Sequence, residues 1–145
     1  MSREMFGADL DTTRVRIFAL PLWPRAFVPN ARLIVWPQVS AWRDFCAAPL
    51  ELQAVLVHEL THIWQAQTGV KLLWAKLAAG DGPGAYTYDL GQDARFSTLN
   101  IEQQAMVMQH AFLAARGGSA PLAAMEYSRV LAAWRAADAV RPRIV

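Results

Sequence analysis

The sequence predicts an α+β domain with more helix than strand, and three features of the chain lead to this prediction. Two short runs with strand character lie near the N-terminus. From about Pro49 onward, apolar residues recur at helical spacing. No stretch reaches the roughly eighteen apolar residues that a membrane span needs. At 145 residues, the chain is most simply one domain over residues 1–145, long enough to bury an apolar core.

The two predicted strands lie on either side of a proline-rich segment. The first, "RVRIFAL" at Arg14–Leu20, alternates basic and apolar residues, as a half-buried strand does. The second, "ARLIVWP" at Ala31–Pro37, is β-branched and aromatic and ends at its proline. Between them, "PLWPRAFVPN" has three prolines in ten residues, which predicts a loop. The two strands are expected to pair as a small antiparallel sheet.

The rest of the chain is expected to be helical. The predicted helices cover residues 49–69, 70–80, 97–118 and 121–137. Pro49 suits the first turn of a helix, and Gly69 is a suitable stop. Ser97 or Thr98 is expected to cap the third helix, because a hydroxyl can accept from the free N–H groups of the first turn. The segment 81–96 is loop-rich and carries two tyrosines.

Composition and charge exclude several classes of protein. The apolar share of 54% and the charged share of 18% are typical of a globular protein and exclude a disordered one. The net charge is +2, and the basic residues are scattered, so neither a nucleic-acid nor a membrane partner is expected. Cys46 is the only cysteine, which excludes an internal disulfide. The N-terminus lacks the apolar stretch of a signal peptide, which predicts a cytoplasmic protein unless a specialised secretion system exports it.

The first predicted helix carries the residues expected to do chemistry, in the stretch "VLVHELTHIWQ" of residues 55–65. His58 and His62 are four residues apart, so both imidazoles project from one helical face and can reach one ion. Glu59 lies farther round the helix and can reach a water bound to that ion, which is the general-base position of the H-E-x-x-H arrangement. The pattern therefore predicts a Zn²⁺ site and a zinc-dependent hydrolase.

A structural explanation of the same residues is that they are a satisfied polar triad in an apolar helix. Apolar residues surround the motif on nearly every side, namely Ala54, Val55, Leu56, Val57, Leu60, Ile63 and Trp64. A buried helix holds two imidazoles and a carboxylate only if something compensates for their lost hydration, and a metal ion does so. The flanking residues therefore favour a metal site.

A catalytic zinc site needs a third protein ligand from elsewhere in the chain. The weaker candidates are Cys46, Asp89, Asp93 and His110, which are expected to lie beyond the helix end, in the loop or in ordinary helical positions. Glu102 is the strongest candidate, because it lies in the predicted helix "LNIEQQAMVM" among apolar residues and needs a partner if it faces the interior. Ala105, one turn on, is small enough to let this helix approach the His58/His62 helix closely. The alternative for Glu102 is a solvent-exposed position.

With these motifs in view, the chain resembles a known family. "HELTH" followed by a downstream helix with "NIEQQA" resembles the gluzincin branch of the zincin metallopeptidases. More specifically, "FGADLDTTRVRI", "VHELTHIWQAQTG" and "FSTLNIEQQA" resemble small bacterial zincin-like proteins associated with Rhs-type and type VI secretion components. The resemblance implies zinc held by His58, His62 and Glu102, a peptide or protein substrate, and secretion components as further partners.

The chain departs from the better-known gluzincins in two places. Met106 stands where those enzymes have an Asp that orients a ligand histidine, so that role is expected to fall to Asn100 or a backbone carbonyl. No histidine or arginine is obviously placed to polarise a substrate carbonyl. Tyr86 or Tyr88 is a candidate for this role, with loop anchoring as the alternative for both.

Two main functions follow from the sequence. The first is a zinc metallopeptidase in which Glu59 is the general base. The alternative is a catalytically weak, zinc-binding interaction module associated with secretion or with a toxin, and a structural zinc domain is third. An apolar stripe is expected to pack in the core rather than line a groove; it comprises Trp64, Leu72, Leu73, Trp74 and Leu77.

Overall fold

The fold is a three-stranded N-terminal sheet followed by a helical region, as seen in a computed structural model. The structure describes residues 1–80 and 82–139; the rest of the predicted domain of residues 1–145, and residue 81 of the predicted loop, lie outside the described residues. The elements are α1 (Ser2–Phe6), β1 (Arg16–Leu20), β2 (Phe27–Asn30), β3 (Leu33–Pro37), α2 (Leu50–Gln67), α3 (Leu72–Ala79), α4 (Pro83–Tyr86), α5 (Ile101–Ala114) and α6 (Ala124–Ala139). The predicted α+β class is confirmed.

The sheet is mixed, with strand order β1-β3-β2, whereas a purely antiparallel sheet was expected. The segment predicted to be a loop contributes β2, which forms a tight hairpin with β3; the Asn30 side chain accepts from the Arg32 N–H in its turn. This hairpin takes up one side of β3 with an antiparallel pair. The strand β1 pairs with the other side of β3. It runs parallel to β3, and Arg16 lies opposite Leu33. Two predicted strands thus pair, but in the opposite sense.

The helix α2 forms the centre of the described residues. It begins after Pro49 and ends before Gly69, close to the predicted bounds. Gly69 has φ 97°, a left-handed conformation that glycine adopts without strain. Most of the helix is buried, including Val57 and Ile63 at 0% exposure. It packs against β2, β3, α3 and, most extensively, α5. The helix with the H-E-x-x-H motif is therefore the main core element.

The helix α5 starts later than predicted. Asn100, not Ser97 or Thr98, is its cap: its side chain accepts from the Gln103 N–H, and the Gln103 side chain accepts from the Asn100 N–H. This reciprocal capping box satisfies two donors at the helix start. Ser97 and Thr98 lie in a short 3-10 helix instead. The later start leaves Glu102 in the first turn of α5.

The loop between α4 and α5 is held to the two C-terminal helices. The Tyr88 hydroxyl lies 2.6 Å from His110 Nδ1 and 2.8 Å from the Tyr127 hydroxyl. Burial and the contact with Tyr127 raise the pKa of Tyr88, and burial, with the charge of His58, lowers the pKa of His110. The Arg129 guanidinium donates to the Leu90, Gly91 and Gln92 carbonyls. Tyr88 is therefore a loop anchor.

The apolar stripe predicted to be core is largely exposed. Leu72 is buried and Trp64 partly buried, but Leu73, Trp74 and Leu77 are 70%, 68% and 66% exposed. The prediction is wrong for these three because α3 is short and only Leu72 on it is buried. Within the described residues, no helix is both long and apolar enough to cross a membrane.

The close approach of α2 and α5 can be tested at Ala105, which is 0% exposed and lies one turn from Glu102 on α5. Replacing Ala105 with Leu puts an isobutyl group where a methyl group fits. We expect the free energy of unfolding to fall by about 1–3 kcal/mol, because overpacking forces the helices apart. Chemical denaturation measures this change. The control is Ala132→Leu at an exposed position of α6, for which we expect a change within about 0.5 kcal/mol; equal effects of both substitutions would contradict the close packing.

Candidate metal centre

Two helices bring three ligand-type side chains together. His58 and His62 of α2 face Glu102 of α5, and the two Nε2 atoms lie 3.2 Å apart. Glu102 Oε2 lies 3.4 Å from His58 Nε2 and 3.3 Å from His62 Nε2. His62 and Glu102 are 1% and 3% exposed. The structure thus brings together the three residues predicted to hold the metal, and Glu102 is not solvent-exposed.

The three atoms form a triangle of a size that fits a metal ion. Atoms bound at about 2.0–2.2 Å to a tetrahedral ion lie about 3.3–3.6 Å from one another. The three distances between His58 Nε2, His62 Nε2 and Glu102 Oε2 are 3.2–3.4 Å, close to that separation. Lone pairs of two neutral imidazoles and a carboxylate would repel at this distance without a shared cation or proton. The cluster could therefore hold a metal ion.

A hydrogen bond that His62 donates to Gln65 fixes which nitrogen of His62 faces the cluster. Gln65 Nε2 donates to the Ile101 carbonyl at 3.0 Å and to Gln104 Oε1 at 2.9 Å, so Gln65 Oε1 must be the acceptor near His62. That oxygen lies 2.8 Å from His62 Nδ1, which therefore carries the proton. In the neutral ring, Nε2 then has a free lone pair directed at the cluster.

The same chain of amides anchors His62 to α5. Gln65 is itself 0% exposed, and Gln104 donates onward to the Phe96 carbonyl at 3.1 Å. The sequence had suggested Asn100 or a backbone carbonyl as the group that orients a ligand. Asn100 is instead the cap of α5, and Gln65 orients His62. Its position three residues after His62, on the same helical face, was the signal that could have revealed it.

Glu102 is held as a carboxylate by its neighbours. Burial acts to raise the pKa of Glu102, but the contacts of its Oε2 with His58 and His62 and the charge of Lys76 outweigh burial, so the pKa lies well below its usual range. Lys76 Nζ on α3 lies 3.3 Å from Glu102 Oε1. One carboxylate oxygen therefore faces the histidines, and the other faces Lys76. Sequence reasoning did not identify Lys76.

A cleft of about 480 Å³ opens over the cluster. It is lined by Trp23, Arg25, Ala26, Phe27, Val55, His58, Glu59, His62, Lys76, Tyr86, Glu102 and Gln109. Glu59 is 5% exposed, and burial raises the pKa of its carboxyl, partly offset by the charges of His58, Lys76 and Arg25. Glu59 Oε2 and His58 Nδ1 are buried without a hydrogen-bond partner among the described residues.

The other residues considered from the sequence lie outside the cluster. Cys46, Asp89 and Asp93 are exposed, and His110 is bonded to Tyr88. None of these four belongs to the group of His58, His62 and Glu102 in the part of the chain that the structure describes. Tyr86 lines the cleft, in contrast to Tyr88. The roles of the three grouped residues and of Glu59 stay predictions.

The fold and the site define an α+β domain with a candidate metal centre between two helices. The chain is similar to the type VI secretion system spike protein VgrG2b of Pseudomonas aeruginosa, with 27% identity over 125 residues. That match covers 78% of this chain but only 12% of the spike protein's length. The structure is similar to the solved effector domain of VgrG2b from Pseudomonas aeruginosa, with a TM-score of 0.69 and 26% identity, covering 90% of this chain and 76% of that one. No protein-family model matches the chain.

These matches relate the chain to an effector domain of a type VI secretion protein. They confirm the secretion-associated part of the resemblance found in the sequence. The names of the matched proteins mention neither zinc nor a peptidase, so the gluzincin part of that resemblance stays a prediction.

The role of Gln65 can be tested by replacing it with Met, which keeps the approximate size of the side chain and removes its hydrogen bonds. We expect the affinity for Zn²⁺ to fall about 10–100-fold, because His62 loses the group that orients it. Competition with a chromogenic chelator measures this affinity. Gln53→Met is the matched control: Gln53 lies on the same helix and donates to the Cys46 and Ala48 carbonyls, so its loss should spare metal affinity. Equal affinity in both variants would refute the role of Gln65.

Proposed function

We propose that this chain is a zinc-dependent hydrolase of peptide bonds that works as an effector-type domain in type VI secretion. The observation that carries the proposal is the Glu59 carboxylate, buried in the same cleft as His58, His62 and Glu102 with one oxygen unpartnered among the described residues. Burying such a group costs free energy, and a purely structural metal site gains nothing from it. A hydrolytic site uses it as a general base.

The donor set supports zinc as the ion. Two imidazole nitrogens and one carboxylate oxygen match the three protein ligands of catalytic zinc sites, which keep a further position open. When bound, zinc would act as a Lewis acid and lower the pKa of a bound water to about 7. The cleft beside the cluster gives a substrate access to this position.

The side chains of this protein would then have separate tasks. Glu59 would accept a proton from the attacking water and deliver it to the leaving amine, so that the amine departs neutral. Gln65 would hold His62 in the tautomer with a free Nε2. Lys76 would hold the second oxygen of Glu102, so that only Oε2 faces the histidines. The tasks of Gln65 and Lys76 require only contacts that already exist among the described residues.

The secretion part of the proposal is supported by the similarity to VgrG2b. That protein is a type VI secretion spike, and the solved structure similar to this chain is its effector domain. We therefore propose type VI secretion components as partners of this chain and a peptide or protein as its substrate. Because the chain spans only 12% of the spike protein, activities of the rest of that protein are not assigned to it.

A second candidate is a zinc-binding interaction module without efficient turnover, associated with secretion. The comparisons favour this candidate over the first, because the names of the matched proteins refer to secretion and not to hydrolysis. The exposed apolar residues Leu73, Trp74 and Leu77 also suit a surface that contacts another protein. The burial of Glu59 beside the cluster favours the hydrolase. The two candidate functions therefore assign different roles to Glu59: a general base in the hydrolase and no catalytic role in the interaction module.

The metal can be tested first. Purified protein should bind about one Zn²⁺, as the one set of three ligands found among the described residues implies. At a free Zn²⁺ concentration a hundredfold above the dissociation constant, zinc binding stabilises the fold by about 2.7 kcal/mol. A chelator should therefore lower Tm by several degrees. Metal analysis and thermal melts measure both effects. Stoichiometric zinc in the His58→Ala, His62→Ala double variant would exclude this site.

The hydrolase is tested by comparing Glu59→Gln with Glu102→Gln. The amide of Glu59→Gln cannot take up a proton, so cleavage of a peptide library should fall about 10²–10⁴-fold while zinc content is retained. Glu102→Gln should lose zinc first and cleavage as a consequence. Mass spectrometry of the cleaved peptides and metal analysis give the two readouts.

The same experiment separates the two candidate functions. The interaction module predicts that the zinc-loaded wild type cleaves nothing and that partner binding is unchanged in Glu59→Gln. Full-rate cleavage by Glu59→Gln would remove the proposed mechanism.

A further inference from the structure

The charges that line the cleft suggest which substrates it favours. Among the lining residues, Arg25 and Lys76 are the cations, and Glu59 and Glu102 are the carboxylates, so their charges cancel. Neutral imidazoles add nothing, and a divalent ion held by the cluster would leave an excess of about two positive charges. A cleft with such an excess attracts anionic groups.

The two cations differ in how they are engaged. Lys76 is paired with Glu102 Oε1 and is part of the support of the metal cluster. Arg25 is exposed at the cleft and has no hydrogen-bond or ion-pair partner among the described residues. It lines the same cleft as Glu59, the proposed general base. Arg25 is therefore the cation available to a substrate.

The backbone around Arg25 is held in place. Pro24 fixes one backbone angle immediately before it. Trp23 and Phe27 flank it in sequence, and their rings are in contact, with centroids 5.3 Å apart. This contact joins the two ends of the segment 23–27, so the backbone that carries Arg25 has little conformational freedom to lose when the side chain binds a substrate. The backbone position of Arg25 is thus set before a substrate binds.

We propose that Arg25 selects substrates that carry a carboxylate within about two residues of the scissile bond. This proposal rests on the proposed hydrolase function and names its substrate class. A guanidinium offers two parallel N–H donors that match the two oxygens of a carboxylate. The short range follows from the cleft, because a volume of about 480 Å³ admits only a short peptide segment beside the metal cluster.

A carboxylate can come from an Asp or Glu side chain or from the C-terminus of a peptide. The chemistry recognised by Arg25 is the same in both cases. A side-chain carboxylate would make the protein cut within a chain beside acidic residues. A terminal carboxylate would make it remove short pieces from C-terminal ends.

The test uses zinc-loaded full-length protein and matched peptides built on a sequence that the wild type cleaves in a peptide library. The two peptides of the first pair have Asp or Asn near the scissile bond, and both have amidated C-termini. The two peptides of the second pair have either a free or an amidated C-terminus. We expect kcat/KM about fivefold higher for the carboxylate member of one pair, as for an exposed ion pair. The pair that shows the preference identifies the source, and the preference should shrink at high salt.

The variants of Arg25 make the test specific. Arg25→Gln should bring the ratio of the two kcat/KM values close to one, and Arg25→Glu should favour a Lys-containing peptide instead. Because the readout is a ratio, a general loss of activity in the variant does not mimic the effect. Arg43→Glu is the matched control, since Arg43 is exposed, makes the same charge change and does not line the cleft. An unchanged ratio in both Arg25 variants would overturn the proposal.

A binding measurement separates failure of this proposal from failure of the hydrolase. Zinc-loaded Glu59→Gln protein is titrated with two pairs of pentapeptides, each carrying an uncharged fluorophore. The members of the first pair contain Asp or Asn and have blocked ends. The members of the second pair have a free or an amidated C-terminus. If the carboxylate form binds more tightly, and this preference is lost in the Glu59→Gln, Arg25→Gln double variant, recognition by Arg25 is supported even if the wild type cleaves nothing. Equal binding of all forms overturns it, whatever the activity.

Discussion

The buried carboxylate of Glu102 is the constraint on which the rest of the structure depends. A charged group at 3% exposure requires partners, and it finds them on two other elements. His58 and His62 approach it from α2, and Lys76 approaches it from α3. The close contact of α2 with α5 and the position of α3 beside them both follow from satisfying this one group.

A second set of contacts makes that arrangement rigid. Gln65 connects His62 to the Ile101 carbonyl and, through Gln104, to the Phe96 carbonyl. Each amide in this chain is fixed by a carbonyl that can only accept, so the orientation of His62 does not depend on solvent. A rigid ligand on α2 and a charged ligand on α5 give a site whose geometry is set by helix packing, while the walls of the cleft come from the segment before β2 and from α3 and α4.

Much of the fold and of the site could be predicted from local sequence. The spacing of His58 and His62 predicts a shared helical face, and the apolar surroundings of Glu102 predict a buried carboxylate in need of a partner. The first follows from the helical period alone, whereas the second left a solvent-exposed Glu102 as the alternative. The start of α5 was placed at Ser97 or Thr98 because several residues there can cap a helix. Only the backbone path shows that Asn100 and Gln103 form the reciprocal pair.

The sequence by itself determined the α+β class, the helix with the H-E-x-x-H motif and the identity of the three ligand-type residues, because each depends on contacts between residues close in the chain or on burial of a single face. The tertiary structure decided everything that depends on distant neighbours. It made β1 parallel to β3, because the chain reverses direction between β1 and β2 and again in the β2–β3 hairpin. It left Leu73, Trp74 and Leu77 exposed, because none of the described elements covers that face of α3. It also brought Lys76 and Arg25 to the site from separate elements, which no sequence period can indicate.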